Sequence, residues 1–258
     1  MSDGIYSAAS GAVAQQKALN AVANNVANVN TTGYRADKTV FAEVMKKVKS
    51  ELPQEPALRY ATVSQFAVDT APGALKLTGR SLDIGLHGDG YLTVKTPQGE
   101  RYTRAGSFIM DNEGVLRTPG GYEVLKVGPK LTRDPNEVPP GVRIVVPRTT
   151  KEILIGQDGY ISADGERVGK LKLVQFNTQE EALREGLTLF TEAPGKKPKV
   201  AGPNLTVEQG YLETANVNAV SGMNELILVS RAFTAMEQVI NTFRQIDDRT
   251  ARDVGGRA

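Results

Sequence analysis

One imidazole is available to this chain: His87, in Leu86-His87-Gly88-Asp89-Gly90. Histidine catalysis needs that ring buried, oriented by a carboxylate and set beside a nucleophile, and no nucleophile motif accompanies it here. The segment reads instead as a hairpin turn between strands. Asp89, Asp111, Asp158 and Asp164 could form an acid/base pair or ligate calcium. Each, however, stands next to or within a few residues of a glycine, where aspartate favours the turn. No D-x-[DN]-x-[DN]-G loop, P-loop or strand-borne G-x-G-x-x-G occurs. The absence of cysteine excludes disulfides, thiolate catalysis and thiolate metal sites. Lys46, Lys47 and Lys49 lack the interleaved aromatics that base stacking requires, so they read as a solvated helix end. No catalytic, cofactor-binding or metal-ligating residue is assigned.

The remaining chemistry is amide hydrogen bonding and apolar burial, and both concentrate at the chain ends. Asn20, Asn24 and Asn28 are spaced by four residues, a polar line on one helix face. Asparagine is a poor helix-interior residue, so this line suits bonding to a neighbouring chain or plain exposure near a fraying end. Beside it Ile5, Ala12, Leu19 and Val26 recur every seven residues, with Ala8, Gln15, Val22 and Val29 offset by three. Near the other end Leu226, Phe233 and Ile240 recur in the same way, partnered by Val229, Met236 and Phe243. Such seams suit coiled-coil packing. They predict helices over 4–29 and about 216–250. Ser2 and Asp3 are candidate N-caps, and Gly33 is a candidate left-handed stop for the first helix.

Between the ends the texture changes. Val40, Phe41, Val44 and Val48 suggest a weaker helix over 36–49, which Pro53 and Pro56 break. Residues 50–75 read as an extended linker. From about 76 to 205, short alternating segments such as Tyr91–Thr96 and Tyr160–Ser162 are separated by Gly-containing turns, and Arg133–Gly141 reads as a loop. That pattern argues an all-β domain, a sandwich or irregular barrel. The expected class is α+β: long terminal helices with coiled-coil seams and a central all-β domain. The expected divisions are 1–35, 36–75, 76–205 and 206–258. Lysine plus arginine, 31, nearly balance aspartate plus glutamate, 29. That balance gives no basic footprint for nucleic acid. No stretch is apolar enough to insert in a membrane. The amphipathic N-terminus does not fit a cleavable leader.

Asn24-Asn25-Val26-Ala27-Asn28-Val29-Asn30-Thr31-Thr32-Gly33-Tyr34-Arg35 resembles the N-terminal signature of bacterial flagellar rod and hook proteins. Glu208-Gln209-Gly210-Tyr211-Leu212-Glu213-Thr214-Ala215-Asn216-Val217-Asn218 is similar to their C-terminal signature, and Ala-Asn-Val-Asn occurs in both. Leu82-Asp83-Ile84, Gly88-Asp89-Gly90-Tyr91-Leu92 and Tyr102-Thr103-Arg104-Ala105-Gly106-Ser107-Phe108 resemble the family's central β domain. The opening Ser2-Asp3-Gly4-Ile5-Tyr6 and the length favour the proximal-rod branch, with distal-rod and hook subunits next.

The resemblance implies that the terminal helices pair as an antiparallel coiled coil with the β domain outside, in a structural subunit that polymerises into a hollow, torque-transmitting shaft spanning the periplasm. It also implies export by the flagellar type III apparatus without signal cleavage, and self-association with other rod proteins. Ile5, Ala12, Leu19, Val22, Asn24, Asn25, Val26, Asn28 and Val29 would then form the assembly interface. At the other end Asn216, Val217, Leu226, Val229, Phe233, Met236, Ile240 and Phe243 would join them. Phe41, with Met45 four residues on, fits the family's export-gate motif. Different classes, a carbohydrate-active β enzyme or an adhesin, would need an acidic cleft or a closed trimer of helices.

Overall fold

The computed structural model describes residues 2–46, 58–128, 141–178 and 181–255. Lys47, Val48, Lys49, Pro53, Pro56 and loop residues 133–140 lie outside that set, as do the side chains of Phe41 and Met45. The chain divides into two units. The first comprises Met1–Ala27, Asp37–Ala67 and Asn218–Ala258, and the second Asn28–Ala36 and Val68–Val217. The β unit therefore takes in chain on both sides of 76–205.

In the first unit α1 spans Ser2–Ala27 and α2 spans Ala219–Gly255. They pack antiparallel: Gly222 sits against Val26 at one end, and Gly11 against Met236 at the other. Helix α2 starts with Asn218, whose Oδ1 accepts from the backbone N–H groups of Val220 (3.0 Å) and Ser221 (3.1 Å), a side-chain cap. Ser2 opens α1 itself, so Asp3 stands within the first turn. The helix ends at Ala27, ahead of Gly33, and a turn follows in which Thr31 N–H donates to Asn28 O at 3.0 Å.

The expected helix over 36–49 is corrected. Asp37–Lys46 is strand β1, paired with β2, Leu58–Val68, inside the stretch read as linker. The positions Val40, Phe41 and Val44 satisfy a helical repeat, but over so short a run periodicity does not separate helix from strand. The β-branched and aromatic residues of both segments decide for pairing.

The second unit is an antiparallel β fold. Its first strands are β3 (Leu75–Leu77), β4 (Ile84–His87), β5 (Tyr91–Thr96), β6 (Gly99–Thr103), β7 (Ile109–Met110), β8 (Leu116–Arg117), β9 (Glu123–Val127) and β10 (Gly141–Arg143). There follow β11 (Ile153–Ile155), β12 (Tyr160–Ala163), β13 (Glu166–Lys170), β14 (Leu173–Gln175), β15 (Ala182–Glu185) and β16 (Leu189–Glu192). The last are β17 (Lys199–Val200), β18 (Thr206–Gln209) and β19 (Tyr211–Glu213). The largest sheet runs β15-β16-β6-β5-β9-β8-β7, with β10 on β9 and with β14 joining β5 to β17. A three-stranded sheet, β11-β12-β13, and the pairs β18-β4 and β19-β3 complete it.

Strand β5 is buried at every position except Lys95, as expected for a strand covered on both faces. One core cluster gathers Ile84, Leu86, Leu92, Phe108, Ile144, Ile161 and Val207; another holds Tyr91, Tyr102, Val174, Ala182 and Phe190.

Tyr91 and Tyr102 make that second cluster sensitive to alkali. Burial pushes both phenols above their ordinary value of 10.0, and the carboxylates of Glu192 and Glu100 push Tyr102 further. A raised folded-state pKa means that this stabilisation is complete below about pH 10 and is lost as pH climbs beyond it. Thermal melts between pH 8 and 11.5 should show the β unit's Tm falling steeply above pH 10. The doubly substituted chain Tyr91→Phe/Tyr102→Phe should show a shallower fall, whereas equal slopes would remove the assignment.

Candidate functional site

Helix α1 meets α2 with an unusually light face. Ala14, Ala18, Ala21 and Val22 are buried and Ala12 nearly so, while Ile5, Ala8, Gln15, Leu19 and Val26 are half-covered. The covered stripe is thus rotated toward the alanines relative to the heptad seam read from sequence. Small side chains allow the partner backbone to approach closely. At Gly222, the one described position of α2 that is fully buried, an added Cβ would lie 2.8 Å from Val26 Cγ2. On α2 the residues of the expected seam, Leu226, Val229, Phe233, Met236, Ile240 and Phe243, are all half-buried.

Large apolar side chains remain uncovered on the same helices. Val220 and Leu228 are 70% and 65% exposed, and Met223, Ile227, Val239 and Ile246 are also exposed; on α1, so are Tyr6 and Val13. This second face was missed by the heptad reading. Its signal is the spacing of Val220, Met223 and Ile227 by three and four residues.

The asparagines divide between faces and turns. Asn20 and Asn24 lie on exposed positions. Asn25 is turned onto strand β1, donating to Asp37 O (2.9 Å) while its Oδ1 accepts from Asp37 N–H (2.8 Å). Asn28 Oδ1 accepts from the Thr31 hydroxyl at 3.1 Å, and Val29 follows the helix in the same turn region, half-covered.

In the β unit the two end motifs close on each other. Glu213, at the end of β19, is ion-paired with Arg35 Nη2 (2.6 Å) and accepts hydrogen bonds from Arg104 Nη1 (3.2 Å) and Gly73 N–H (2.9 Å). All three charged side chains are buried. Arg35 Nη1 also donates to Ala71 O at 2.6 Å, and Arg104 Nη2 to Gly88 O at 2.7 Å. Burial pulls the Arg35 guanidinium below its ordinary value, and Glu213 opposes that pull.

Asn216 Oδ1 accepts from Ala36 N–H (2.7 Å), and its Nδ2 donates to Asp69 O and Ala71 O (both 3.0 Å). Val217 is half-covered beside it. Arg184 donates to Arg35 O and lies 4.8 Å over the Tyr34 ring. Gly33 is left-handed (φ 68°), and its N–H donates to Glu213 O at 2.8 Å. A Cβ there would stand 2.3 Å from Ala105 N, so glycine is required for contact and not as a helix cap. Sequence reasoning missed the roles of Arg35, Arg104 and Glu213. Their signal was opposite charge placed inside three otherwise uncharged or turn-rich motifs.

The residues first suspected of catalysis have other employment. His87 is exposed at the end of β4, paired with Thr206, and so belongs to a strand. Asp111 Oδ1 accepts from Glu113 and Val115 N–H, and Arg117 at 2.6 Å holds its carboxyl below the usual range. Asp158 closes the turn to Tyr160 N–H, and Asp164 accepts from the backbone N–H groups of Lys151 and Glu152, a dozen residues upstream. Among the described residues no cluster of three or more His, Cys, Asp or Glu could hold a metal. No described helix is long and apolar enough to cross a membrane.

A β unit clasped by both chain ends, attached to an antiparallel pair of terminal helices with apolar surface to spare, defines an assembling structural protein. Three family models match in the same order along the chain. "Flagella basal body rod protein" covers residues 5–35, "Flagellar hook protein FlgE/F/G D1 domain" 85–163, and "Flagellar basal body rod FlgEFG protein C-terminal" 208–253. The chain is 34% identical to flagellar basal-body rod protein FlgF of Escherichia coli K12, over 98% of this chain and 97% of that one. It is 31% identical to the FlgF of Rhizobium meliloti, over 99% of both. The rod protein FlgG of Bacillus subtilis is 30% identical, over 94% and 95%. The chain belongs to the flagellar basal-body rod protein family, most like its FlgF members, and is a structural subunit of the rod.

The close approach at Gly222 can be tested directly. Gly222→Val should destabilise the helix pair by about 1–3 kcal/mol, the usual cost of overpacking. Adding Val26→Ala should recover part of it. The readout is hydrogen exchange of α1 amides; unchanged exchange in the single variant contradicts the packing described.

Proposed function

We propose that α1 and α2 are the polymerising element, and that copies of this chain and other rod proteins stack their helices into a hollow shaft. The observation that carries this reading is the uncovered apolar face of α2 around Val220, Met223, Ile227 and Leu228. Contiguous exposed apolar surface of this kind marks an interaction site. Contacts that differ on the two sides of a subunit propagate as a helix instead of closing.

On this reading the half-covered seam residues Leu226, Val229, Phe233, Met236, Ile240 and Phe243 pack partly within the chain and partly on neighbours. So do Ile5, Ala12, Leu19, Val22 and Val26. Asn24 is the amide of the N-terminal line offered to an adjacent subunit; Asn25, Asn28, Val29, Asn216 and Val217 shape the junctions beside the interface. Dense helix packing supplies the stiffness a torque-bearing shaft needs, and the role is mechanical, with no catalysed reaction. The rod crosses the periplasm, and the subunit reaches it through the flagellar type III apparatus without leader cleavage or membrane insertion, Phe41 and Met45 forming the export-gate motif.

Two experiments test this. Phe233→Asp and Ile227→Asp place a charge on the seam and on the uncovered face. Each should abolish incorporation into basal bodies while the purified chain keeps the β-unit melting transition of the wild type. Normal motility in both would refute the assembly assignment. Phe41→Ala should lower the amount of subunit exported from growing cells several-fold. Export at the wild-type level would remove the gate role and leave the assembly role standing.

A further inference from the structure

The β unit contains a carboxylate whose position in the chain bears on when the unit can fold. Glu213 is 1% exposed, and it is the counter-charge of two arginines, Arg35 at 1% and Arg104 at 2%. Arg104 precedes it by 109 residues, and Gly73, whose N–H it also accepts, by 140. The neighbouring clamp from Asn216 to Ala36 spans 180 residues. The strands that deliver Glu213 belong to the core as well. Strand β18 pairs with β4 from Thr206↔His87 to Gln209↔Ile84, and β19 pairs with β3 from Tyr211↔Leu77 to Glu213↔Leu75. Val207 is fully buried among Ile84, Leu86 and Ile161.

We propose that Glu213 is a closing group that keeps the β unit from becoming native until the chain has been supplied as far as Asn216. Before that point Arg35 and Arg104 have no carboxylate to receive them, since Glu213 is the acidic partner of both. Burying two guanidiniums uncompensated is strongly unfavourable. The alternative, leaving them in water, keeps the segments around Gly33–Ala36 and Thr103–Ala105 out of the core. The chain also lacks the strands that cover β3 and β4. A stable β intermediate therefore does not accumulate while the chain emerges from its N-terminus, and closure comes in one late step. The inference concerns the single chain and stands apart from the assembly reading.

The test uses the full chain. In wild-type refolding followed by pulse-labelling hydrogen exchange, protection of 84–103 and of 206–213 should appear in the same kinetic phase. Earlier protection of 84–103 overturns the proposal. At equilibrium, Glu213→Gln should raise exchange of the slowest amides in β4–β6, as well as in 206–213, by about 10²–10³-fold, the loss expected for breaking a buried ion pair. Increased exchange confined to 206–216 would show that the carboxylate only pins the strand end, and would overturn it. A triple substitution, Arg35→Met/Arg104→Met/Glu213→Leu, removes the uncompensated charge and should return β4–β6 protection to within about tenfold of wild type. Failure to recover would assign the Glu213→Gln defect to lost hydrogen bonds instead of unpaired charge.

Discussion

Two guanidiniums and one carboxylate, all removed from water, set the condition that the β unit must meet. Arg35 comes from the segment after the first helix, Arg104 from the chain after β6, and Glu213 from the end of β19. Such a group is a poor source of net stability, because desolvation consumes most of the Coulombic gain. Its effect is on specificity. Only an arrangement that brings all three segments together satisfies the charges, and the same arrangement aligns Gly33 N–H on Glu213 O and Asn216 on the backbone of Ala36, Asp69 and Ala71. The end motifs that characterise the family are therefore, in this chain, the two halves of one polar clasp.

The helices solve a different problem. An α-helix rises about 1.5 Å per residue, so α2, with 37 residues, outreaches the 26 of α1. Where they meet, the most deeply buried positions are mainly alanines and Gly222, which give proximity but little apolar area. A pair joined this way gains modestly from its own interface, and its bulkier residues stay half-covered or exposed. Helix stability comes mainly from tertiary packing, and on the proposed reading neighbouring subunits supply the packing that completes the pair. A heavier intrachain seam would stabilise the monomer and leave less surface for neighbours.

Much of this was legible in the sequence, for physical reasons. A seam on α2 could be proposed from sequence because bulky residues at heptad spacing leave little choice of face. The aspartate-glycine turns were legible because their chemistry is local. The alanine face of α1 was not, since alanine scores as neither seam nor surface until a partner backbone is placed against it. A helix was expected at β1 because a few apolar residues, Val40, Phe41, Val44 and Val48, fit a helical repeat, and the deciding fact, pairing with β2 across intervening chain, is non-local. Arg35, Arg104 and Glu213 escaped notice for the same reason: a charge pair separated by over a hundred residues has no spacing to read.

The repeated Ala-Asn-Val-Asn illustrates how far a motif can be interpreted before its surroundings are known. At 27–30 and 215–218 it stands at two of the four points where chain passes between the units, those beside the terminal helices. Three of its four asparagines do three different jobs. Asn28 closes the turn after α1, Asn216 clamps three backbone groups, and Asn218 caps α2. What they share is a short amide able to donate and accept at once, uncharged at any pH, in positions where a helix must give way to extended chain and backbone groups lose their helical partners. An aspartate could accept at such a junction but not donate to Asp69 O and Ala71 O. A serine lacks the reach to serve three groups. The recurrence thus follows from the geometry of a helix-to-strand junction, and at Asn28 the amide line, which suited an interchain contact or plain exposure, serves the chain's own turn.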